Sequence, residues 1–279
     1  MSVRSIRYST IEQHFTKGVT ASTDRDALAF LEAAQIYNTN QQRAIVNLVR
    51  SLKRVGLWSK MKAIYPFVGG TASTHKFNLK DPRDVDAAFR LTFTGGWTHS
   101  STGALPNGSN AYADTFINAQ TDLNKPSIHK SFYSRTDTQI VGTDIGGSDQ
   151  DGPYDGLQLY IRLTDGFLYA DIGYYGGAPR IKVSNSNGKG YYISSRTATN
   201  NFAVYKNNSL LANNLNTDTT VLPSVKIFIA ANNTTSSGVI QYSNKECAFA
   251  SFGDGLTDTD ATKLYNIVDL YQKRLGRAV

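Results

Sequence analysis

The pattern of apolar and polar positions changes character twice along this chain. Residues 1–22 show no helical period and are rich in Ser, Thr and β-branched side chains, which predicts an extended arm. Thr23-Asp24-Arg25-Asp26 and Thr39-Asn40-Gln41-Gln42 each place a hydroxyl three residues before a side chain that can reach back, so a helix is expected to start at each. The first would put Ala27, Leu28, Leu31 and Ala34 on one side. The second would put Ile45, Leu48, Val49, Leu52 and Val55 on one stripe, with Arg43, Arg50, Lys53 and Arg54 mostly off it. Gly56 should stop that helix, and Leu57-Trp58 should plug its end into the strand-rich body of the chain.

From Ala63 the period shortens. Runs such as AAFRLTF, SIHKSFYS, GLQLYIRL, GFLYADIGYY, YYISSRT, FAVYKN and VKIFIAA are separated by Gly, Asn, Asp and Pro clusters. Short strands punctuated in this way predict an antiparallel sandwich or barrel. Leu157, Leu159 and Ile161 alternate with Gln158, Tyr160 and Arg162, which implies one buried and one wet face. FAVYKNNSLLANN is expected to be a hairpin turning at its Asn-Asn pair, with SVKIFIAANN returning as a central strand. A last amphipathic helix is expected over 257–275: Thr257 caps it with Asp260, Leu256 staples back, and Ala261, Leu264, Val268, Tyr271 and Leu275 form its stripe until Gly276. The domain reading is therefore an N-terminal arm and helical segment over 1–58 and a mainly β sandwich with its C-terminal helix over 59–279.

Composition narrows the class. With 40% apolar, 11% aromatic and 18% charged residues the chain can bury a sizeable core. No run approaches the roughly 18–20 apolar residues of a spanning helix, and the first residues lack the apolar stretch of a signal peptide. The lone Cys247, inside the apolar run CAFASF, is expected to be a buried small hydrophobe. Net charge is +7, but residues 1–80 carry +8 and the remainder −1. A basic N-terminal third on a neutral body suggests anchoring to an acidic surface, through Arg4, Arg7, Arg43, Arg50, Lys53 and Arg54. No aromatic-basic interleaving or zinc-finger spacing accompanies the charge, so nucleic acid is not an expected partner.

The segment KMKAIYPFVGGTASTHKFNLKDPRDVDAAFRLTFTGGWTHSSTGALPNGSNAYADTF, from Lys60 to Phe116, resembles a module of tailed-bacteriophage structural proteins, notably among crAss-like phages. HKSFYSRT and CAFASFGDGLTDTDATKLYNIVDLYQKRLGR extend the likeness. The resemblance implies a concanavalin-A-like (laminin-G or lectin type) antiparallel β-sandwich, a jelly roll, on a tail, fibre or capsid. It implies a non-catalytic virion protein for assembly or host-surface attachment, assembled in the host cytoplasm. Its partners would be other virion proteins, further copies of itself, as a trimer if it belongs to a fibre or spike, and a host-surface glycan. The alternative is an adhesin whose main work is glycan recognition.

Catalytic signals are missing at the sequence level. Glycan hydrolysis needs two carboxylates about 5–10 Å apart, yet Glu12 and Glu32 lie outside the sandwich and Glu246 has no acidic neighbour at strand period. His14, His75, His99 and His129 have no short metal spacing, and no nucleophile motif accompanies them. The loop holding Asp144, Asp149, Asp151 and Asp155 is the best calcium candidate, but it lacks the twelfth-position glutamate of an EF-hand and is taken as solvated. No cofactor or metal is expected. Sugar faces stack on Trp or Tyr while hydroxyls bond Asn and backbone groups, so Trp97, His99, Asn107, Asn110, Tyr174 and Tyr175 are the candidate ligand residues.

Overall fold

A computed structural model describes residues 24–149 and 154–279. The expected arm, with Arg4 and Arg7, lies outside the described residues, as does Asp151. Helices α1 (Arg25–Ala33) and α2 (Thr39–Arg54) open the described chain. Strands β1 (Met61–Tyr65), β2 (Thr92–Thr94), β3 (Trp97–Ser100), β4 (Gly103–Pro106) and β5 (Tyr112–Asn118) follow, with short helices α3 (Ala72–His75) before β2 and α4 (Ala119–Asp122) after β5. Next come β6 (Ile128–Ser134), β7 (Ile145–Ser148), β8 (Asp155–Tyr160), β9 (Phe167–Tyr174), β10 (Ile181–Ser184), β11 (Gly190–Ala198), β12 (Asn201–Lys206) and β13 (Ser209–Asn214). The chain closes with β14 (Lys226–Ile229), β15 (Asn232–Thr234), β16 (Gly238–Ile240), β17 (Cys247–Gly253) and α5 (Asp258–Arg274).

The strands form two sheets packed as a sandwich, so the fold is mainly β as expected. One sheet runs β13-β12-β11-β6-β17-β4-β3, with β1 also on β17; the other runs β10-β9-β8-β7-β14-β5-β2, with β15 and β16 joined at β7. Pairing is antiparallel apart from β15 on β7 and the isolated bridge Thr143–Tyr242. Alternation along β11 shows how the layers are built. Tyr192 faces the inter-sheet core with Phe132, Phe202, Leu157 and Ile172, whereas Tyr191 and Ile193 face a second core with Ile45, Leu48, Leu52, Leu264 and Val268. Helices α1, α2 and α5 are thus a third layer on the outer face of the first sheet. Leu57 is fully buried in this second core, with Trp58 packed beside it.

Several local expectations hold. The hairpin β12–β13 turns at Asn207, whose φ is +53°, and β14 lies between β7 and β5. Thr257 and Asp260 form a reciprocal capping box for α5, Leu256 is buried, and Gly276 follows with φ +66°. Cys247 is buried.

Others are corrected. The caps of α1 and α2 are Asp24 and Asn38, each one residue from the expected hydroxyl. The Asn38 amide oxygen accepts from both Asn40 N and Gln41 N, satisfying two helix-start donors at once. AAFRLTF is not one strand: Asp86–Ala88 is a 3-10 turn, Phe89 is left-handed with φ +57°, and only its end joins β2. Buried Asn78 holds that segment, accepting from Ile64 N at 2.9 Å and donating to Ala88 O at 3.0 Å, where a ladder would otherwise do so. The expected wet face of β8 is also covered, since Gln158 and Tyr160 are buried. Here β15 folds back over the sheet at Gly146, where a Cβ would lie 2.9 Å from Ala231 O and Asn232 Cα.

Candidate binding site

The six residues expected to contact a ligand fall at two places. Trp97 donates its indole N–H to Thr94 O at 3.0 Å and Tyr112 O at 3.3 Å, and its ring lies against Phe93 and His99. Asn110 Oδ1 accepts from Gly96 N and from Asn107 Nδ2, while Asn107 Oδ1 accepts from Ser109 N and Asn110 N. These side chains hold the Gly95-Gly96 turn, where a Cβ on Gly95 would sit 2.1 Å from Asn110 O. Tyr174 and Tyr175 are on or beside β9, five strand steps from β2 and so about 24 Å away at about 4.8 Å per step. Tyr175 arches over Gly156 and takes the Arg180 guanidinium 5.1 Å from its ring centre. The structure does not bring the two groups together.

The expected anchors also separate. Lys53 is engaged within the chain, at 2.7 Å from Asp24 and 2.6 Å from Asp26. Burial works against the Asp24 carboxylate, but the Lys53 ammonium and the Asp26 N–H hold its pKa below the usual range. Arg43, Arg50 and Arg54 are exposed on α2.

A cleft of about 390 Å³ opens at the end of the sandwich where the loop after α4, the end of β11 and residues 218–222 meet. Its floor holds Lys125, Arg196 and Asp218. Asp218 Oδ1 accepts from Lys125 Nζ and Thr220 Oγ1, both at 2.7 Å, and Oδ2 accepts from Tyr174 N at 2.9 Å. Burial would raise this carboxyl, yet the Lys125 and Thr220 donors hold its pKa below normal. Arg196, fully buried, donates Nε and Nη2 to Ile172 O at 3.1 and 2.9 Å, and Nη1 to Thr199 O at 2.8 Å. Gly173 permits the close approach: its φ is +104°, and a Cβ there would lie 2.2 Å from Asp218 Oδ2. Around this fixed floor stand the side chains of Gln120, Asn124 and Thr199, with Leu123, Pro126 and Leu222 as apolar wall.

A second cleft of about 290 Å³ lies where β11 and β12 meet the start of α5. It is lined by Ser195, Thr197, Tyr205, Thr257 and Asp258, and Tyr205 donates its hydroxyl to Asp258 at 2.6 Å. Each cleft is lined by a single carboxylate, Asp218 or Asp258. Among the described residues, no group of three or more His, Cys, Asp or Glu side chains is placed to hold a metal ion. Two aspartates of the acidic loop are used elsewhere: Asp144 accepts from Ile161 N and Ser243 Oγ, and Asp149 from Ser224 N; Asp155 is buried near Thr220, Lys125 and Asp218, and burial raises its carboxyl.

Sequence reasoning missed the larger cleft. None of Lys125, Arg196 and Asp218 is among the ligand residues expected from the sequence. Arg196 did carry a signal: it shares the alternation of Tyr192 and Ser194, so an arginine on the inward face of YYISSRT called for a buried partner.

No known protein family matches the chain by sequence, and no curated protein does so either. Solved structures do match in fold. A Trypanosoma rangeli sialidase in complex with sialic acid aligns with a TM-score of 0.54 and 13% identity over 82% of this chain and 39% of that one. A mutant of the same sialidase displaying trans-sialidase activity gives 0.51 and 11%, over 81% and 39%. Domain 4 of a GH43 extracellular arabinanase from Geobacillus stearothermophilus, in complex with arabinotriose, gives 0.48 and 15%, over 74% and 98%. This chain spans only about 39% of the sialidase's length. At such identities the likeness to the sialidase is one of fold, a β-sandwich.

Proposed function

We propose that this protein is a non-catalytic structural protein of a tailed-phage virion, on the tail, fibre or capsid, whose sandwich binds a saccharide in the cleft floored by Lys125, Arg196 and Asp218. The observation that carries the binding half is the state of that floor. The one carboxylate among its lining residues, Asp218, is saturated by donors, and its two cations are committed to Asp218 and to backbone carbonyls. Glycoside hydrolysis needs two carboxyl groups with separate acid and base roles, whereas this cleft offers fixed charge and amide and hydroxyl groups at its rim. Such a surface recognises polyhydroxylated ligands without turning them over. The virion assignment is supported by the sequence resemblance over Lys60–Phe116. Assembly into a homo-oligomer, a trimer if the chain belongs to a fibre, goes with it.

The test has two arms. A density map of the intact particle should show this chain on the virion surface; a particle without it overturns the structural role. The purified chain should bind at least one surface polysaccharide of the host, or sialic acid, with which one fold relative was solved. Asn124→Ala with Thr199→Ala should weaken that binding about tenfold, while Trp97→Phe should not. Binding indifferent to the cleft pair, or shortening of the polysaccharide, would overturn the site reading.

A further inference from the structure

The corner of the second sheet where β8 starts and β9 ends gathers features that a settled strand end does not need. Among the described residues eight buried side-chain atoms have no hydrogen-bond partner, and four of them lie here: Asp155 Oδ1, Gln158 Oε1, Gln158 Nε2 and Asn232 Oδ1. Gln158 and Asn232 are neighbours, since both pair with Gly146 across the ladder. The Gln158 carboxamide is fully buried with neither end bonded, an arrangement that folded chains rarely keep because hydration would relieve it. Strain sits at the same corner. Tyr154, just before β8, has φ +60°, a left-handed conformation that a bulky side chain seldom adopts.

A short segment covers this corner. The end of β9 bends at Gly173, with φ +104°, and the chain turns at Gly176, with φ +78°. Tyr174 and Tyr175 between them are half-buried. Tyr175 shares the space over Gly156 with the unbonded carboxamide: a Cβ on Gly156 would lie 3.0 Å from Tyr175 Cβ and 3.5 Å from Gln158 Oε1. Three N–H groups tie the segment down, Tyr175 N to Tyr154 O at 2.6 Å, Tyr174 N to Asp218 Oδ2 at 2.9 Å and Gly176 N to Asp171 Oδ1 at 3.4 Å. Beyond Gly177 the chain is fixed again. Asn214 and Asn216 donate to Ala178 O at 2.7 and 3.0 Å, and Arg180 grips Asp171 through two bonds of 2.8 and 2.6 Å.

We infer that residues 174–177 form a flap that opens and closes, and that its closed position withholds one oxygen of Asp218 from the cleft. Closing makes the three backbone bonds and seats Tyr175 over Gly156, but it shuts an unbonded amide away from water; opening reverses both. Opposed contributions of this kind place a segment at the low-stability end of a fold. The left-handed glycines at either end absorb the change in backbone angle. The same motion takes the Tyr174 N–H off Asp218 Oδ2, which leaves that oxygen able to accept from a hydroxyl in the cleft. Use of the freed oxygen by a saccharide rests on the binding site proposed above, whereas the motion itself does not.

Amide hydrogen exchange of the full chain, followed by 15N NMR, tests the flap without a ligand. Tyr174, Tyr175 and Gly176 should exchange at least a hundredfold faster than Leu168 and Ala170 in the same strand. Gln158→Met, similar in length but without the unbonded carboxamide, should slow those three at least tenfold and leave Gly166 and Phe167, at the opposite end of the β8–β9 hairpin, within twofold. Gly176→Ala, strained in the closed turn, should speed them at least threefold. The 13C resonance of the Asp218 carboxyl should differ between the two variants; an unchanged resonance would sever the flap from the cleft. Exchange indifferent to Gln158→Met, or slowed equally at Gly166 and Phe167, would overturn the flap, as would a crystal structure with ordered water bonded to the Gln158 carboxamide beneath a closed Tyr175. A saccharide that binds the cleft should bind Gly176→Ala more tightly than Gln158→Met, and failure of every saccharide to bind would remove the proposed site while the exchange rates still decide the flap.

Discussion

His75 and His99 share a hydrogen bond between their Nδ1 atoms at 2.9 Å, and its direction is dictated by a third group. Gly70 N–H donates to His75 Nε2, so that nitrogen carries no proton. His75 must therefore be protonated at Nδ1 and donate to His99 Nδ1, which leaves His99 with its proton on Nε2. Burial, with His99 and Arg277 nearby, lowers the His75 pKa to about 3, and burial lowers that of His99. Between the unfolded value near 6.5 and that depressed value the unfolded chain binds more protons, so stability is full above pH 6.5 and lost as the solution is acidified. The loss from His75 is on the order of 3 kcal/mol by pH 4. Imidazole 15N shifts should show His75 neutral at pH 5 with its proton on Nδ1; a protonated His75 at that pH would refute the chain of donors.

Lys130 produces a slope of the same sign at the other end of the pH scale. It points from β6 into the inter-sheet core and donates to Asp171 O at 2.7 Å, and burial pulls its pKa down to about 7. The unfolded lysine titrates near 10.4, so between about pH 7 and 10 the unfolded state again binds more protons and stability should rise with pH. Below pH 7 both states are charged and this contribution is flat. Urea denaturation at pH 7, 8 and 9 should show the climb in the natural chain and not in Lys130→Met. A slope unchanged in the variant would assign it to another group.

What the sequence displayed was whatever local chemistry decides. The α5 capping box, the Asn207 turn and the strand period of β6, β8, β9, β11 and β12 depend on neighbours within a few residues, and they were legible. What it hid depends on distant covering groups. Nothing in GLQLYIRL announces that Asn232 will lie over Gly146 and bury the face of Gln158. Nothing local tells that the Trp97 indole will be spent on Thr94 O and Tyr112 O, or that Lys125 and Asp218 will meet across 93 residues. Phe89 in a left-handed turn defeated a strand pattern because Asn78, eleven residues earlier, supplies a backbone partner to the neighbouring Ala88.

Arg277 is expected to be the costliest single position near the C-terminus. Its guanidinium is buried and donates to Pro66 O at 2.7 Å, Phe67 O at 2.6 Å, Ala248 O at 2.9 Å and Gln272 Oε1 at 2.6 Å, tying α5 to β17 and to the segment after β1. Arg277→Ala would take the guanidinium donor from Phe67 O and Gln272 Oε1, each loss costing about 1–3 kcal/mol before relaxation, whereas Pro66 O keeps the Tyr271 hydroxyl and Ala248 O keeps Gln272 Nε2. A loss of at least about 3 kcal/mol in chemical denaturation is expected. A loss under about 1 kcal/mol would mean that water replaces the guanidinium freely.

Asp144 separates a structural from a metal-binding account of the acidic loop. Its carboxylate is fully buried, accepts from Ile161 N at 2.7 Å and Ser243 Oγ at 2.6 Å, and faces the equally buried Lys245 ammonium at 3.8 Å. Asp144→Asn keeps the shape but strands the Lys245 charge, which typically costs about 3–5 kcal/mol when one partner of a buried pair is removed. That loss should be the same with 5 mM calcium or with a chelator, and the melting temperature of the natural chain should move by less than about a degree between the two. Lys245→Met in the Asp144→Asn background should recover most of the loss, because it removes the stranded charge. A calcium-dependent rise of several degrees, abolished by Asp144→Asn, would instead make this carboxylate a ligand, since a metal held at 100 times its dissociation constant stabilises the native state by about 2.7 kcal/mol.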